Sequence, residues 1–393
     1  MKTMSLLQAV LPLTLAALVV GCGSQPAPAG DASQGDPAVQ PEDPASGPAS
    51  PAAPPPSDAT PPPVAPATAP PAAPHLPAIA TAKIHAAPVW AYAVASDMVF
   101  VTTDTAVERT AADGTGVTPL PGLANAMSLA TDGTRLYALL DQGSTSELFS
   151  AKTDGTDSVH HLSWSWGYGE PGALALNGSR IYFSATDSSQ RSDSMLVSVA
   201  SAAPPSAYDN PWRIEEYVDA QNLVPAFTAD RLFAVDYYRQ SAVRVSTVDA
   251  SQSVDVIQDT LPSTAGGIAT DGKDVYTRTT KGIVKVAIGS GANSEPIVVV
   301  PSAACSIFDP ANGAESVLDD ALVIDGATLY TACRAGANVE IRAYATTGTL
   351  AKVVATAPYA AGVSHLRITP TAAYWLARPS ADSYANELWR AAK

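Results

Sequence analysis

The sequence predicts an all-β fold: a β-propeller of seven four-stranded antiparallel blades, its last blade closed by an N-terminal strand. Three observations predict it. A nine-residue unit recurs seven times after residue 78. Each copy is followed by further short β-prone runs separated by Gly, Asp and Ser, the residues of tight turns. No segment of useful length places apolar residues at the 3.6-residue spacing of a helix, which excludes a doubly wound α/β fold.

The clearest copy of the unit is Leu129 to Tyr137 (LATDGTRLY). Leu174 to Tyr182 (LALNGSRIY), Ile268 to Tyr276 (IATDGKDVY) and Leu322 to Tyr330 (LVIDGATLY) are close to it. Tyr92 to Phe100, Pro225 to Phe233 and Leu366 to Tyr374 are weaker copies. The closing aromatic stands at 100, 137, 182, 233, 276, 330 and 374, so the spacings are 37, 45, 51, 43, 54 and 44 residues.

Each part of the unit has a physical reading. A first apolar strand meets Asp-Gly or Asn-Gly, which is expected to supply the positive φ angles of a hairpin turn. A second strand presents an aliphatic and then an aromatic residue, as in Leu136-Tyr137 and Val275-Tyr276. A third strand follows, for example Glu147 to Ser150 or Gly282 to Val286, and a fourth such as Glu295 to Val300. Ala stands seven residues before the aromatic at Ala93, Ala130, Ala175, Ala226 and Ala269, and small residues suit an innermost strand crowded around an axis. Four strands repeating every ~40–50 residues make a propeller blade. Residues 81–393 number 313, about 45 for each of seven blades.

The last unit supplies strands over 363–369, 372–377 and 386–391, and the sequence ends at Lys393 without a fourth. Ala78 to His85 has a strand pattern and no unit of its own. It is expected to complete the last blade and so remove an open sheet edge.

The N-terminal part has a different composition. Lys2 precedes an apolar stretch of 17 residues, Met4 to Val20, interrupted by Pro12. This is shorter than the ~20 residues of a membrane span and suits a signal peptide over residues 1–21. Val19-Val20-Gly21-Cys22 resembles the lipobox of bacterial lipoproteins. That resemblance implies cleavage before Cys22, lipidation of its thiol and new amine, and a membrane anchor in the cell envelope. Gly23 after the cysteine points, by the sorting rule of such families, to the outer membrane, with the protein facing the periplasm or the cell surface. A plain secretory signal with a chance cysteine is the other reading.

Residues 23–77 hold 18 prolines, five acids and no Lys or Arg, so no core can form there. They are expected to be a disordered, semi-rigid tether reaching on the order of 150 Å if extended. The propeller is then assigned to residues 78–393. Net charge is −15 overall and −11 over residues 78–393 (21 bases against 32 acids), which argues against a nucleic-acid partner.

The repeated units resemble bacterial lipoprotein propellers of the broad YVTN-, NHL- and TolB-like group, over about 313 residues. The resemblance implies an architecture and a binding or scaffolding role, not an activity. The Trp-Asp ending of WD40 blades and the sialidase-type Asp box are absent, and the paired glycines of kelch blades do not recur from unit to unit.

Motifs for chemistry are few. Residues 78–393 contain no Gly-x-Ser-x-Gly, Cys-x-x-Cys or Ser-x-x-Lys motif, and no catalytic residue, cofactor or metal is expected. His160 and His161 would point to opposite faces of a strand, so they would not share a metal, and a solvated strand is expected. The Asp-Gly turns lack the dense oxygen spacing of a calcium loop. Cys305 and Cys333 fall on one side of the sixth blade, as a disulfide or as two separate buried thiols.

Two long connections carry aromatic residues and are expected on one face: His161 to Pro171, with Trp164, Trp166 and Tyr168, and Ala203 to Asn222, with Tyr208, Trp212 and Tyr217. Tyr237, Tyr238 and Arg239 should reach the same face. These residues form a candidate binding surface for a protein or glycan; alternatively, Trp164 and Trp212 fill gaps between blades. The functional expectation is therefore a membrane-anchored lipoprotein that binds a protein or glycan without catalysis. A carbohydrate-active hydrolase or lyase and a structural envelope protein are the alternatives.

Overall fold

The computed structural model describes residues 81–143, 145–165, 173–186, 194–200, 212–216, 225–235, 243–247, 255–258, 264–290, 294–306, 320–336, 338–358, 362–379 and 386–393. The chain divides between Ala72 and Ala73, and every described residue belongs to the second part. The export signal, Cys22 and the tether lie outside the described residues.

Strand β1 (Thr81–Val89) precedes the first repeat. Blade one is β2 (Tyr92–Ala95), β3 (Met98–Thr102), β4 (Val107–Ala111) and β5 (Thr118–Leu120). Blade two is β6 (Ala126–Thr131), β7 (Arg135–Asp141), β8 (Thr145–Lys152) and β9 (Val159–Ser165). Blade three is β10 (Leu174–Asn177), β11 (Arg180–Thr186), β12 (Ser194–Ala200) and β13 (Trp212–Glu216). Blade four is β14 (Ala226–Phe227), β15 (Arg231–Val235), β16 (Val243–Thr247) and β17 (Asp255–Gln258). Blade five is β18 (Thr264–Thr270), β19 (Asp274–Thr279), β20 (Gly282–Ala287) and β21 (Ile297–Pro301). Blade six is β22 (Leu322–Asp325), β23 (Thr328–Ala335), β24 (Asn338–Ala345) and β25 (Leu350–Pro358). Strands β26 (Gly362–Ile368), β27 (Ala372–Arg378) and β28 (Asn386–Ala392) complete the series.

Among the described residues these strands form seven four-stranded antiparallel sheets. Six are built from consecutive strands; the seventh has the order β1-β28-β27-β26. Thr81 pairs with Ala391 and Val89 with Asn386, so both ends of the propeller meet in one sheet. Among the described residues the pairing segment runs past His85. It extends to Val89 because Ile84 and Val89 are buried against the first blade's Tyr92, Val99 and Val101. The β4–β5 hairpin approaches β1 so closely that a Cβ on Gly114, at φ +86°, would lie 2.3 Å from the Ile84 carbonyl oxygen.

The hydrophobic core sits between blades. Leu136, Ala138 and Leu140 of β7 pack with Phe100 and Val107 of blade one, whereas Tyr137 and Leu139 pack with Ile181 and Phe183 of blade three. Alternate residues of a strand point to opposite faces, so a second strand between two neighbours is apolar on both. This explains the unbroken runs at Leu136 to Leu140 and Ala372 to Ala377. All seven closing aromatics, Phe100 to Tyr374, are buried.

The Asp-Gly turn works differently from expectation. Gly133 alone takes a positive φ (89°), while the Asp132 carboxylate accepts the N–H groups of Thr134 and Arg135 at 2.8 and 2.7 Å. Its other oxygen accepts the Tyr137 hydroxyl at 3.2 Å. Asp271 repeats this with Lys273, Asp274 and Tyr276. The five-residue spacing from Asp to Tyr is thus a hydrogen-bonding distance across the hairpin. Burial opposes ionisation of Asp132 and Asp271, but the backbone donors outweigh it and hold both carboxyls below the usual range.

Candidate functional site

The seven innermost strands share one register. Ala93 pairs with Phe100, Ala130 with Tyr137, Ala175 with Tyr182, Ala226 with Phe233 and Ala269 with Tyr276. Val323 takes this place opposite Tyr330. In the seventh blade the residue opposite Tyr374 is Arg367. Adjacent innermost strands pack around the ring: β2 on β6, β6 on β10, β14 on β18, β18 on β22 and β22 on β26. Tyr182 and Phe227 bridge β11 and β14, with ring centroids 4.7 Å apart.

A cavity of about 260 Å³ lies between residues of β2, β6, β10, β14 and β26. Val94, Leu176 and Phe227 supply apolar wall, and Thr131 and Arg367 supply polar groups. Among the described residues, Arg367 is the one charged side chain in this lining.

A local distortion sets Arg367 here. The β26–β27 register shifts between Ser364 and Arg367, and His365 adopts φ +54°. A bulge of this kind re-aims the side chains beside it, and a non-glycine residue in that region costs about 1–3 kcal/mol unless its surroundings hold it. The surroundings are visible. Leu366 N–H donates to the Asp320 carbonyl at 2.9 Å, and Asp320 also has a positive φ of 52°. The Tyr92 hydroxyl faces the carbonyl oxygens of His365 and Tyr374, the latter at 2.9 Å. Burial, foremost, pushes the Tyr92 phenol far above its usual pKa, so it remains a donor.

Arg367 Nη1 donates to Asp320 Oδ2 at 2.5 Å and to the Leu366 carbonyl at 2.9 Å. These two bonds use both Nη1 protons, leaving Nε and Nη2 without a hydrogen-bond partner among the described residues. Burial of Asp320 pushes its carboxyl up and the charge of Arg367 opposes this, while the guanidinium itself keeps its proton. Burial and then the charge of Arg367 push His365 down to about 3, so its ring is neutral. The cavity thus offers apolar wall and one guanidinium edge with three free N–H donors.

None of the residues singled out in the sequence is in this lining among the described residues. Trp166, Tyr168, Tyr208, Tyr217, Tyr237, Tyr238 and Arg239 lie outside the described residues. Trp164 and Trp212 were expected in long connections, but their backbone is strand: Trp164 pairs with Ser146 across β8–β9, and Trp212 with Ser198 across β12–β13. Ser163-Trp164-Ser165 alternates polar and aromatic residues, a strand pattern, so β9 runs into the stretch read as loop. Cys305 and Cys333 form a disulfide with Cα atoms 4.8 Å apart, tying the β21–β22 connection to β23.

His160 and His161 take opposite faces, but only His160 is solvated. His161 is buried, with Nε2 2.8 Å from the Ser150 hydroxyl that also accepts from Arg135. Among the described residues no three His, Cys, Asp or Glu side chains cluster as metal ligands. Arg367 had a sequence signal that the reading passed over: it interrupts the series of alanines seven residues before the aromatic.

No protein-family model matches the chain, and no curated protein matches it in sequence. Among solved structures, the chain is similar to the β-propeller domain of the Trilobed protease from Pyrococcus furiosus: TM-score 0.51, 10% identity, 78% of this chain and 95% of that one. It is also similar to BamB from Moraxella catarrhalis, at TM-score 0.45 and 13% identity over 77% of this chain and 82% of that one. The first likeness supports the propeller fold. The Pyrococcus domain is described as having an open velcro topology, whereas here β1 pairs with β28.

Proposed function

We propose that the chain is an exported, membrane-anchored lipoprotein of the cell envelope whose propeller binds a protein or glycan partner. The observation that carries the binding role is the axial cavity, with a guanidinium edge set by a bulge where the repeats elsewhere keep a small or aliphatic residue. Concave apolar sites with a few placed polar groups are the usual form of a binding site. The lipobox-like sequence ending at Cys22 supports the anchor, and the proline-rich residues 23–77 support a spacer. Binding is then display: the acyl chains fix location, the spacer gives reach, and the ring makes the contact. Trp164, Trp166, Tyr168, Tyr208, Trp212, Tyr217, Tyr237, Tyr238 and Arg239 are proposed as a second contact region.

Growth with a tagged fatty acid, followed by in-cell crosslinking and recovery of the protein, tests this reading. Label should enter the parent protein and not Cys22→Ser. One protein or glycan should be recovered with the parent and lost when the cavity is filled by Leu176→Trp; loss only when Trp164, Trp166 and Trp212 are all Ala would move the contact to the second region. Absence of label removes the anchor; absence of any crosslinked partner removes the binding role.

A further inference from the structure

We infer that the axial cavity takes a small apolar monocarboxylate, its carboxylate held bidentate by the Nε and Nη2 edge of Arg367. This rests on reading the cavity as the binding site and goes further by naming the ligand chemistry. A guanidinium presents five N–H donors in a fixed plane. Asp320 and the Leu366 carbonyl occupy Nη1 alone, at 2.5 and 2.9 Å. The remaining edge carries two parallel donors, Nε–H and one Nη2–H, the geometry that a carboxylate matches with both of its oxygens. Because Asp320 binds from the other side, Arg367 is oriented before any ligand arrives.

The rest of the cavity fixes the other half of the ligand. Val94, Leu176 and Phe227 bring aliphatic and aromatic carbon to the same space, and no second cation lines it among the described residues. A dianion such as a phosphate monoester would meet one guanidinium already paired with a carboxylate. A single negative charge with a hydrocarbon body suits it better. A volume of about 260 Å³ lies just below the ~300–1,000 Å³ of drug-sized ligand pockets, so the group seated there is small. Two sources share this chemistry: a free short-chain acid, and the C-terminus of a chain ending in an apolar residue.

Titration calorimetry on the purified full-length protein tests the assignment. The probes are hexanoate, hexan-1-ol of the same length, acetyl-Ala-Leu with a free carboxylate, and its C-terminal amide. Hexanoate or the peptide acid should bind saturably and at least tenfold more tightly than its neutral counterpart; whichever acid binds more tightly identifies the source. Asp320→Asn leaves the guanidinium uncompensated and should tighten acid binding several-fold. Asp320→Asn with Arg367→Met removes both charges together and should erase the preference for acids while neutral probes still bind. Equal affinity for acids and neutral counterparts, or an acid preference that survives in the double variant, overturns the carboxylate assignment and leaves the cavity as a binding site. If none of the four probes binds, the cavity reading falls as well. A thermal midpoint measured on each variant separates loss of binding from loss of fold.

Discussion

The hydroxyl of Tyr92 lies 2.9 Å from the backbone carbonyl of Tyr374, a residue 282 positions later in the chain. Tyr92 opens the first blade's innermost strand and Tyr374 is the last of the seven aromatics, so this contact joins the two ends of the ring at the axis. The β1–β28 pairing joins them again at the periphery. One joint is a buried hydrogen bond and the other a full strand pairing, and they fail in different ways.

Replacing Tyr92 by Phe keeps the ring volume and removes the donor. The His365 and Tyr374 carbonyls then lose a buried partner, which costs about 1–3 kcal/mol. Denaturant unfolding of Tyr92→Phe should show a lower midpoint with an unchanged slope. A midpoint equal to that of the parent would mean that water replaces the hydroxyl and the contact is incidental.

Deleting residues 78–86 removes most of β1, including buried Ile84. It exposes the β28 edge and the Val99 and Val101 side of blade one. Burial of one aliphatic side chain is worth about 1.5–3 kcal/mol, and the strand pairing adds to it, so the whole propeller should lose several kcal/mol. The thermal midpoint of the deletion variant checks this, and an unchanged midpoint would refute a role for the pairing in closure.

Much of this fold was legible because the repeat is a physical device. Asp132 and Tyr137 stand five apart because one carboxylate anchors both the turn and the aromatic hydroxyl. Ala130 stands opposite Tyr137 because the innermost strand has little room. The Asp–Tyr bond returns at Asp271 and Tyr276, and an alanine stands opposite the aromatic in five blades, so together they leave a period. The cavity left none. Arg367 depends on a bulge in one strand, on Asp320 from the preceding connection and on Tyr92 from the far end of the chain, and no periodic pattern records those three together. His161 was misread for a related reason: its neighbours on β7 and β8 decide its burial, and its own strand looks polar.

The Cys305–Cys333 disulfide closes a loop with a sequence separation of 28. In the chain-entropy account a loop of this size is worth roughly 3–4 kcal/mol. Both residues are buried, so reduction should be slow in the native protein and fast once it unfolds. Thermal unfolding of unfolded-then-reduced and refolded protein should show a midpoint several degrees below that of the oxidised form. Two free thiols in unfolded protein kept from reductant would rule the disulfide out.

Acid should destabilise the propeller through two buried imidazoles. Burial first, then Arg135 and His160, pushes His161 down to about 4, and burial with Arg367 pushes His365 down to about 3. A histidine with a native pKa below its unfolded value of 6.5 binds fewer protons when folded. Stability is therefore fully present above about pH 6.5 and falls as pH drops towards the native values, by at most ~1.4 kcal/mol per pH unit for each histidine. Unfolding midpoints between pH 6.5 and 5 should fall in the parent and fall less in His161→Gln. Equal slopes in the two proteins would remove His161 from this account.

A ring that engages its partner at the axis should carry that contact in the cavity wall and not on an outer strand. A photo-crosslinking side chain placed at Leu176, in the cavity wall, and in a separate protein at Leu350, on the exposed outer strand of blade six, compares the two places directly in cells. The account expects an adduct from position 176 and none from position 350. An adduct from position 350 alone would place the contact on the rim and contradict it.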